Sequence, residues 1–218
     1  MTFQRARRPE HKRQRAEAIL AAARELAVRD GVRAVSLADI ASAVGMHKAA
    51  LLRYFETREE IYLRLAAADW LDWVSGVRGA LAALPAGSAT GVASALARTL
   101  SERPLLCDLL THAPLNLERN VSLETVRTFK HAAVGSVGEI AGAVLEVLPE
   151  LGEQGAFDLV ASVCMIAASL WQISRPTPTL LALYAEEPEL GHENLPFVPT
   201  LTRMAETIIL GQLSRAGR

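Results

Sequence analysis

The sequence predicts an all-α chain, with a small N-terminal domain of three helices followed by a larger C-terminal helical bundle. Three observations carry this reading. Apolar residues recur at spacings of three and four along most of the chain, and no convincing alternating pattern of the strand type is found. Prolines fall between the periodic stretches, at Pro85, Pro104, Pro149 and through residues 176–199. Charge is also divided along the chain. Residues 1–64 carry 13 Lys+Arg against 8 Asp+Glu (+5), and residues 65–218 carry 10 against 16 (−6), so the net charge of −1 hides a basic front and an acidic back. At 218 residues, half of them apolar, the chain can bury two cores. The boundaries read as a flexible basic arm over 1–8, a first domain over 9–64 and a second over 65–218.

The arm carries Arg5, Arg7 and Arg8, which suit either nucleic-acid contact or a solvated tail. Pro9 fits the first turn of a helix running to about Arg29, with Ile19, Ala23, Leu26 and Ala27 as its buried stripe and Gly31 ending it. Ser36 is a good N-cap for the next helix, and Asp39 sits where a carboxylate favours a helix start. Leu37, Ile40, Ala41 and Val44 give that helix one apolar face. Gly45 can take the left-handed conformation of a sharp turn. A further helix is expected from about His47 to Phe55, with Leu51 and Phe55 inward and Lys48 and Arg53 outward. Thr57 and Glu60 then have the spacing of a capping box. Two short helices joined by a tight glycine turn form a helix-turn-helix, whose second helix can enter a DNA major groove.

These residues resemble the TetR family of bacterial transcriptional regulators. The resemblance rests on Ile19-Leu20 with Ala23, Gly31, Leu37 with Ile40-Ala41, Val44-Gly45, and the run Leu51-Leu52-Arg53-Tyr54-Phe55-Glu56-Thr57-Arg58-Glu59. It covers about the first third of the chain and holds about a dozen positions in order and spacing. Leu52 stands where the family usually has a tyrosine that touches the DNA backbone, and Arg58 where it usually has a lysine. The resemblance implies a cytoplasmic repressor that acts as a homodimer on a palindromic double-stranded DNA operator. It also implies a small-molecule effector site in the C-terminal domain and a four-helix dimer interface made by the last two helices.

Candidate DNA contacts are Ser36, His47, Lys48, Ala49, Ala50, Leu52, Arg53, Tyr54 and Arg58. A lysine can donate to guanine O6/N7, small apolar side chains can sit against thymine methyls, and arginines at a helix end hold phosphates. So few hydrogen-bonding groups on the reader imply that DNA shape adds to specificity. Leu52 and Tyr54 have the alternative of packing on the domain's own core.

In the second domain, a long helix is expected from Thr57 to about Leu84, continuous between the domains. Further helices are expected over 91–100, 104–117, 123–148, 156–173 and 197–214, with 174–196 as a long linker containing Glu186, Glu187, Glu189 and Glu193. Val160, Cys164, Ala168, Trp171, Leu201, Met204, Ala205 and Ile208 are the candidate dimer residues, because their helices are apolar on more than one side. Candidate effector contacts are Trp73, Asp108, Leu110, His112, Phe129 and Met165, which point to a largely apolar ligand with one or two polar handles. Asp108, His112 and Asn116 form a row at helical spacing, either a ligand corner or a surface hydrogen-bonding row.

Composition and motifs narrow the function further. Cys107 and Cys164 stand far apart in apolar surroundings and read as reduced core residues. The basic N-terminus lacks the apolar run of a signal peptide, and the most apolar stretch, 159–171, is shorter than a bilayer span. No G-x-S-x-G, H-E-x-x-H, Walker, G-x-G-x-x-G or C-x-x-C pattern occurs, so neither enzyme chemistry, metal nor cofactor is expected. The rival readings are a regulator whose body answers to a protein or to nothing, and a helical enzyme or lipid carrier bearing a similar segment.

Overall fold

The computed structural model describes residues 4–191 and 195–216. Among these are ten α-helices and no strand: α1 (Gln4–Asp30), α2 (Leu37–Ala43), α3 (Lys48–Leu51), α4 (Arg58–Leu81), α5 (Ala89–Ser101), α6 (Pro104–His112), α7 (Leu123–Val147), α8 (Gly152–Ile173), α9 (Pro178–Glu186) and α10 (Phe197–Ala216). The first three and the start of α4 make the head. The rest of α4 and the later helices make the body.

The head is built as its caps dictate. At the start of α2 the Ser36 hydroxyl accepts from the Asp39 N–H at 3.2 Å, and the Asp39 carboxylate accepts from the Ser36 N–H at 2.8 Å. This reciprocal box satisfies two donors that the helix start would otherwise leave unpaired. At the other end Gly45 has φ of +64°. Its N–H reaches Ser42 O and the Met46 N–H reaches Ala41 O, at 3.0 and 2.8 Å. That pair of bonds closes the last turn and reverses the chain toward α3, and it requires a residue without Cβ strain at φ > 0. Ile19, Ala23, Ala27, Ile40, Leu51 and Phe55 fill the small core, and Val32 and Val35 close it from the loop between α1 and α2.

Four differences from the sequence expectation bear on the sites. First, α1 begins at Gln4, before Pro9, so part of the arm continues the helix. Residues 1–3, and the side chains of the arm's arginines, lie outside the described residues. Second, α3 ends at Leu51, and residues 52–54 form a turn, because the i→i−4 pattern gives way to the shorter bonds Arg53 N–H to Ala50 O and Tyr54 N–H to Leu51 O. Third, the expected 104–117 helix stops at His112. Pro114 has no N–H to continue it, and Ala113–Leu117 widens into a π turn closed by Glu118 N–H to Ala113 O at 3.2 Å. Fourth, the expected linker contains α9 and a short 3-10 turn at Pro188–Leu190, with Thr177 capping α9 through the Leu180 N–H. Of the acidic residues expected there, Glu193 lies outside the described residues.

In the body, α4 packs along α7 and α5, α10 lies on α5 and α8, and α6 lies on α8. Trp73 is fully buried and its indole N–H donates to Thr99 Oγ1 at 2.9 Å, so a polar atom deep in the core is satisfied. The segment Pro149–Ile173 is long and apolar enough to cross a membrane by length and composition, contrary to the sequence estimate. It nevertheless packs as a core helix, with Leu159, Val160, Val163 and Ala167 wholly buried against α6, α7 and α10. Cys107 and Cys164 are both buried free thiols, as expected.

Candidate nucleic-acid interface and ligand cavity

The turn after α2 sets α3 on the surface of the head. Leu51 points into the core, which leaves His47, Lys48, Ala49, Leu52 and Arg53 exposed and Ala50 and Tyr54 half-buried. Leu52 is 43 % exposed, so packing on its own core does not account for it. Among the described residues Lys48 and Arg53 have neither an ion pair nor a hydrogen-bond partner for their charged groups. Ser36 is exposed, but its hydroxyl is engaged in the α2 cap.

Beside the turn that follows α3, the N-terminal half of α1 supplies cations that sequence reasoning overlooked. His11, Lys12, Gln14 and Arg15 of α1 share an open groove with Arg53 and Tyr54. Neither Lys12 nor Arg15 has an ion-pair partner among the described residues, whereas Arg13 is paired with Glu10 and Glu17 along α1. The groove therefore carries unneutralised positive charge on the side where α3 is exposed.

Arg58 is not part of that surface, contrary to expectation. Its guanidinium turns inward, donating from Nε to Val35 O at 2.5 Å and from Nη2 to Val32 O, and it lies over the Tyr62 ring at 4.8 Å. Loop carbonyls at these positions have no helical partner, and a planar fork of donors satisfies two of them at once. Arg58 thus pins the loop that delivers α2. The Thr57–Glu60 cap forms with a shift of one residue. Thr57 Oγ1 accepts from the Glu60 N–H, while the Glu60 carboxylate accepts from the Glu56 N–H at 2.6 Å and pairs with Arg64.

The same loop is gripped from the body. Asp108 on α6 accepts the Val32 N–H on Oδ2 at 2.7 Å and the Gln172 Nε2 amide from α8 on Oδ1 at 2.8 Å, and His112 Nε2 lies 3.4 Å from that same Oδ1. Burial pushes the Asp108 carboxyl pKa up, but the contacts from His112, Val32 and Gln172 outweigh it and hold the group below its usual value. A second tie is the ion pair of Arg24 on α1 with the buried Asp69 on α4. Asn116 is exposed in the π turn and stands apart from this cluster. The expected row of three is therefore a head-to-body joint made by Asp108 and His112.

A cavity of about 260 Å³ lies between α4, α6, the π turn, α7 and α8. Its walls are Ala66 and Trp70 of α4, Leu106, Leu109 and Leu110 of α6, Phe129 and Val137 of α7, and Phe157 and Ala161 of α8. Leu110 and Phe129 are thus where expected. Trp73, Asp108, His112 and Met165 do not line it: Trp73 is bonded to Thr99, Asp108 is bonded to Val32 of the head, His112 lies against Asp108, and Met165 is 67 % exposed on the outer side of α8. Among the described residues, the charged ones on the lining are Glu118 and Lys130, which pair with each other at 2.7 Å.

The candidate dimer residues divide in two. Val160, Cys164, Leu201, Ala205 and Trp171 are buried within the chain, Trp171 beneath Arg175 and edge-on to Phe197. Ala168 and Ile208 are half-buried and Met204 is exposed. With Met165, Ile173 and Leu210 they leave apolar surface on the outer sides of α8 and α10.

Comparison with known proteins agrees with this architecture. Residues 19–65 match the bacterial regulatory proteins of the tetR family, and residues 67–216 match the tetracyclin repressor-like C-terminal domain. No curated relative matches the chain. Among solved structures it is similar to the fatty acid degradation regulator FadR from Bacillus halodurans, at 12 % identity and a TM-score of 0.57 over 90 % of this chain and 94 % of that one. It is similar also to a putative TetR-family transcriptional regulator from Mesorhizobium loti MAFF303099, at 13 % identity and a TM-score of 0.55 over 94 % and 97 %. At these identities the likeness is one of fold, whereas the two sequence matches together span both the head and the body, and the chain belongs to the TetR family of DNA-binding transcriptional regulators.

Proposed function

We propose that the protein is a ligand-responsive homodimeric repressor, which releases a palindromic operator in the cytoplasm when a small, largely apolar effector fills the cavity. The observation that carries this reading is the double use of α4 and α6. Helix α6 presents Leu106, Leu109 and Leu110 to the cavity and Asp108 to Val32 of the head. Helix α4 presents Ala66 and Trp70 to the cavity and Arg58 to the same head loop. A ligand that shifts either helix shifts the support of α2 and α3, and a coupling of about 1–3 kcal/mol corresponds to a roughly 5–150-fold change in operator affinity.

On the DNA side, Lys48 serves as a base reader with Ala49, Ala50 and His47 against the groove floor. Arg53, Tyr54, Lys12 and Arg15 hold the backbone. The exposed apolar sides of α8 and α10, around Met165, Ala168, Met204 and Ile208, pair with their copies, because operators read by helix-turn-helix proteins are usually paired half-sites. The test is an anisotropy titration of a palindromic fragment from next to the gene, at several salt concentrations. This reading expects two chains per palindrome, with affinity falling steeply as salt rises. Weak binding that is independent of sequence would reject it.

A further inference from the structure

The cavity has one polar feature, and its two partners are not equivalent. Lys130 Nζ lies 2.7 Å from Glu118 Oε1 and 5.6 Å from the centre of the Phe129 ring, so an ammonium already occupies a place between a carboxylate and an aromatic face. The Lys130 side chain is 51 % exposed and the Glu118 side chain 21 %. Lys130 sits on a flexible stem on the outer side of α7 and can swing into water, where an ammonium is well solvated. Glu118 is held at the end of the π turn by its backbone bond to Ala113 O, and it is largely covered. When Lys130 leaves, an unpaired carboxylate remains beside Phe129 in a cavity whose other walls are apolar, with Trp70 among them. An uncompensated charge in such surroundings is costly, and a carboxylate beside aromatic faces is the arrangement that recognises an organic cation. An anionic ligand would instead require the covered partner, Glu118, to be expelled.

We propose that the cavity takes a small lipophilic cation, an alkyl or aryl body with an ammonium head. In this proposal Glu118 and Phe129 receive the charge, and Lys130 is the internal occupant that the ligand displaces. It rests on the reading of the cavity as the effector site and adds the chemical class of the effector. The volume of about 260 Å³ lies near the lower end of ligand pockets, so the body is short.

The experiment is calorimetric titration of the full-length protein with three probes of one chain length: octyltrimethylammonium, octanol and octanoate. The cation is expected to bind at least tenfold more tightly than octanol, and octanoate more weakly than octanol. Glu118→Gln, which keeps the shape and removes the charge, should bring the cation down to the level of octanol. Lys130→Ala, on an exposed position that folding tolerates, should tighten the cation several-fold by removing its competitor. Equal binding of cation and octanol overturns the proposal while leaving the cavity as a ligand site. Tightest binding by octanoate, weakened in Lys130→Ala, overturns it in favour of an anion. Failure of all three probes to bind overturns the proposal and the effector-site reading together.

Discussion

Replacing Asp108 with alanine should loosen the head from the body. Asp108 is almost fully buried and accepts two hydrogen bonds, from the Val32 N–H at 2.7 Å and the Gln172 amide at 2.8 Å. Hydrogen bonds to a charged group contribute about 1.5–3 kcal/mol each, and a buried donor left unpaired costs about 1–3 kcal/mol, so a loss on the order of 3 kcal/mol is expected. Asp108→Asn keeps an acceptor for Val32 and should lose about half as much. Urea unfolding reads the size of the loss, and hydrogen exchange at the Val32 amide reads its place. The wild-type advantage also has a pH signature. A carboxylate whose folded pKa lies below its unfolded value contributes stability that is present above the unfolded value of about 4 and fades as pH falls through the depressed folded value. The gap between wild type and Asp108→Asn should therefore close in acid. Unchanged stability and unchanged Val32 exchange in Asp108→Ala would refute the joint.

Further outcomes follow from the same contacts. Arg53→Ala, Lys12→Ala and Arg15→Ala should each lower the salt dependence of operator binding by about one ion in a log–log plot, without altering thermal stability. Arg58→Ala should cost about 2–3 kcal/mol in urea unfolding through its lost carbonyl contacts, with the salt slope intact. Met165→Asp should leave a folded monomer in sedimentation, since Met165 is exposed in the single chain; a dimer of unchanged strength would remove α8 from the interface. Gly45→Ala should destabilise the head by about 1–2 kcal/mol in thermal melts, because φ of +64° strains any residue with a Cβ. Burial pushes the Cys107 thiol up to about 12 and raises Cys164 as well, so neither should react with a thiol reagent at neutral pH until the protein unfolds.

What the sequence made legible was local. The Ser36 cap, the Gly45 turn and the inward pair Leu51 and Phe55 depend on residues within a few positions of each other, and all formed. What it concealed was decided by segments meeting from a distance. Arg58 and Arg53 carry the same charge five positions apart, yet Arg58 turns inward because the unpaired carbonyls of Val32 and Val35 come within its reach. Lys12 and Arg15 join Arg53 only because the fold brings α1 beside the turn at residues 52–54. Trp70 lines the cavity whereas Trp73, nearly one turn on, finds Thr99. The apolar pattern of α8 marked it as buried on more than one side, but it could not separate Val160, which packs inside the chain, from Met165, which does not. One signal was available for the π turn: Pro114 inside an apolar helix pattern marks a break, and the break supplies Glu118 to the cavity.

In the proposed mechanism the cavity and the head share one equilibrium through α4 and α6. Linkage makes this directly measurable, since a ligand and the operator must change each other's affinity by the same factor. A cavity-binding ligand is titrated calorimetrically into the free protein and into the protein saturated with operator, and operator affinity is measured with and without that ligand. Two equal factors are expected, each in the range of about 5–150. A ligand that enters the cavity tightly and with the same affinity in both states, leaving operator binding unmoved, would contradict it.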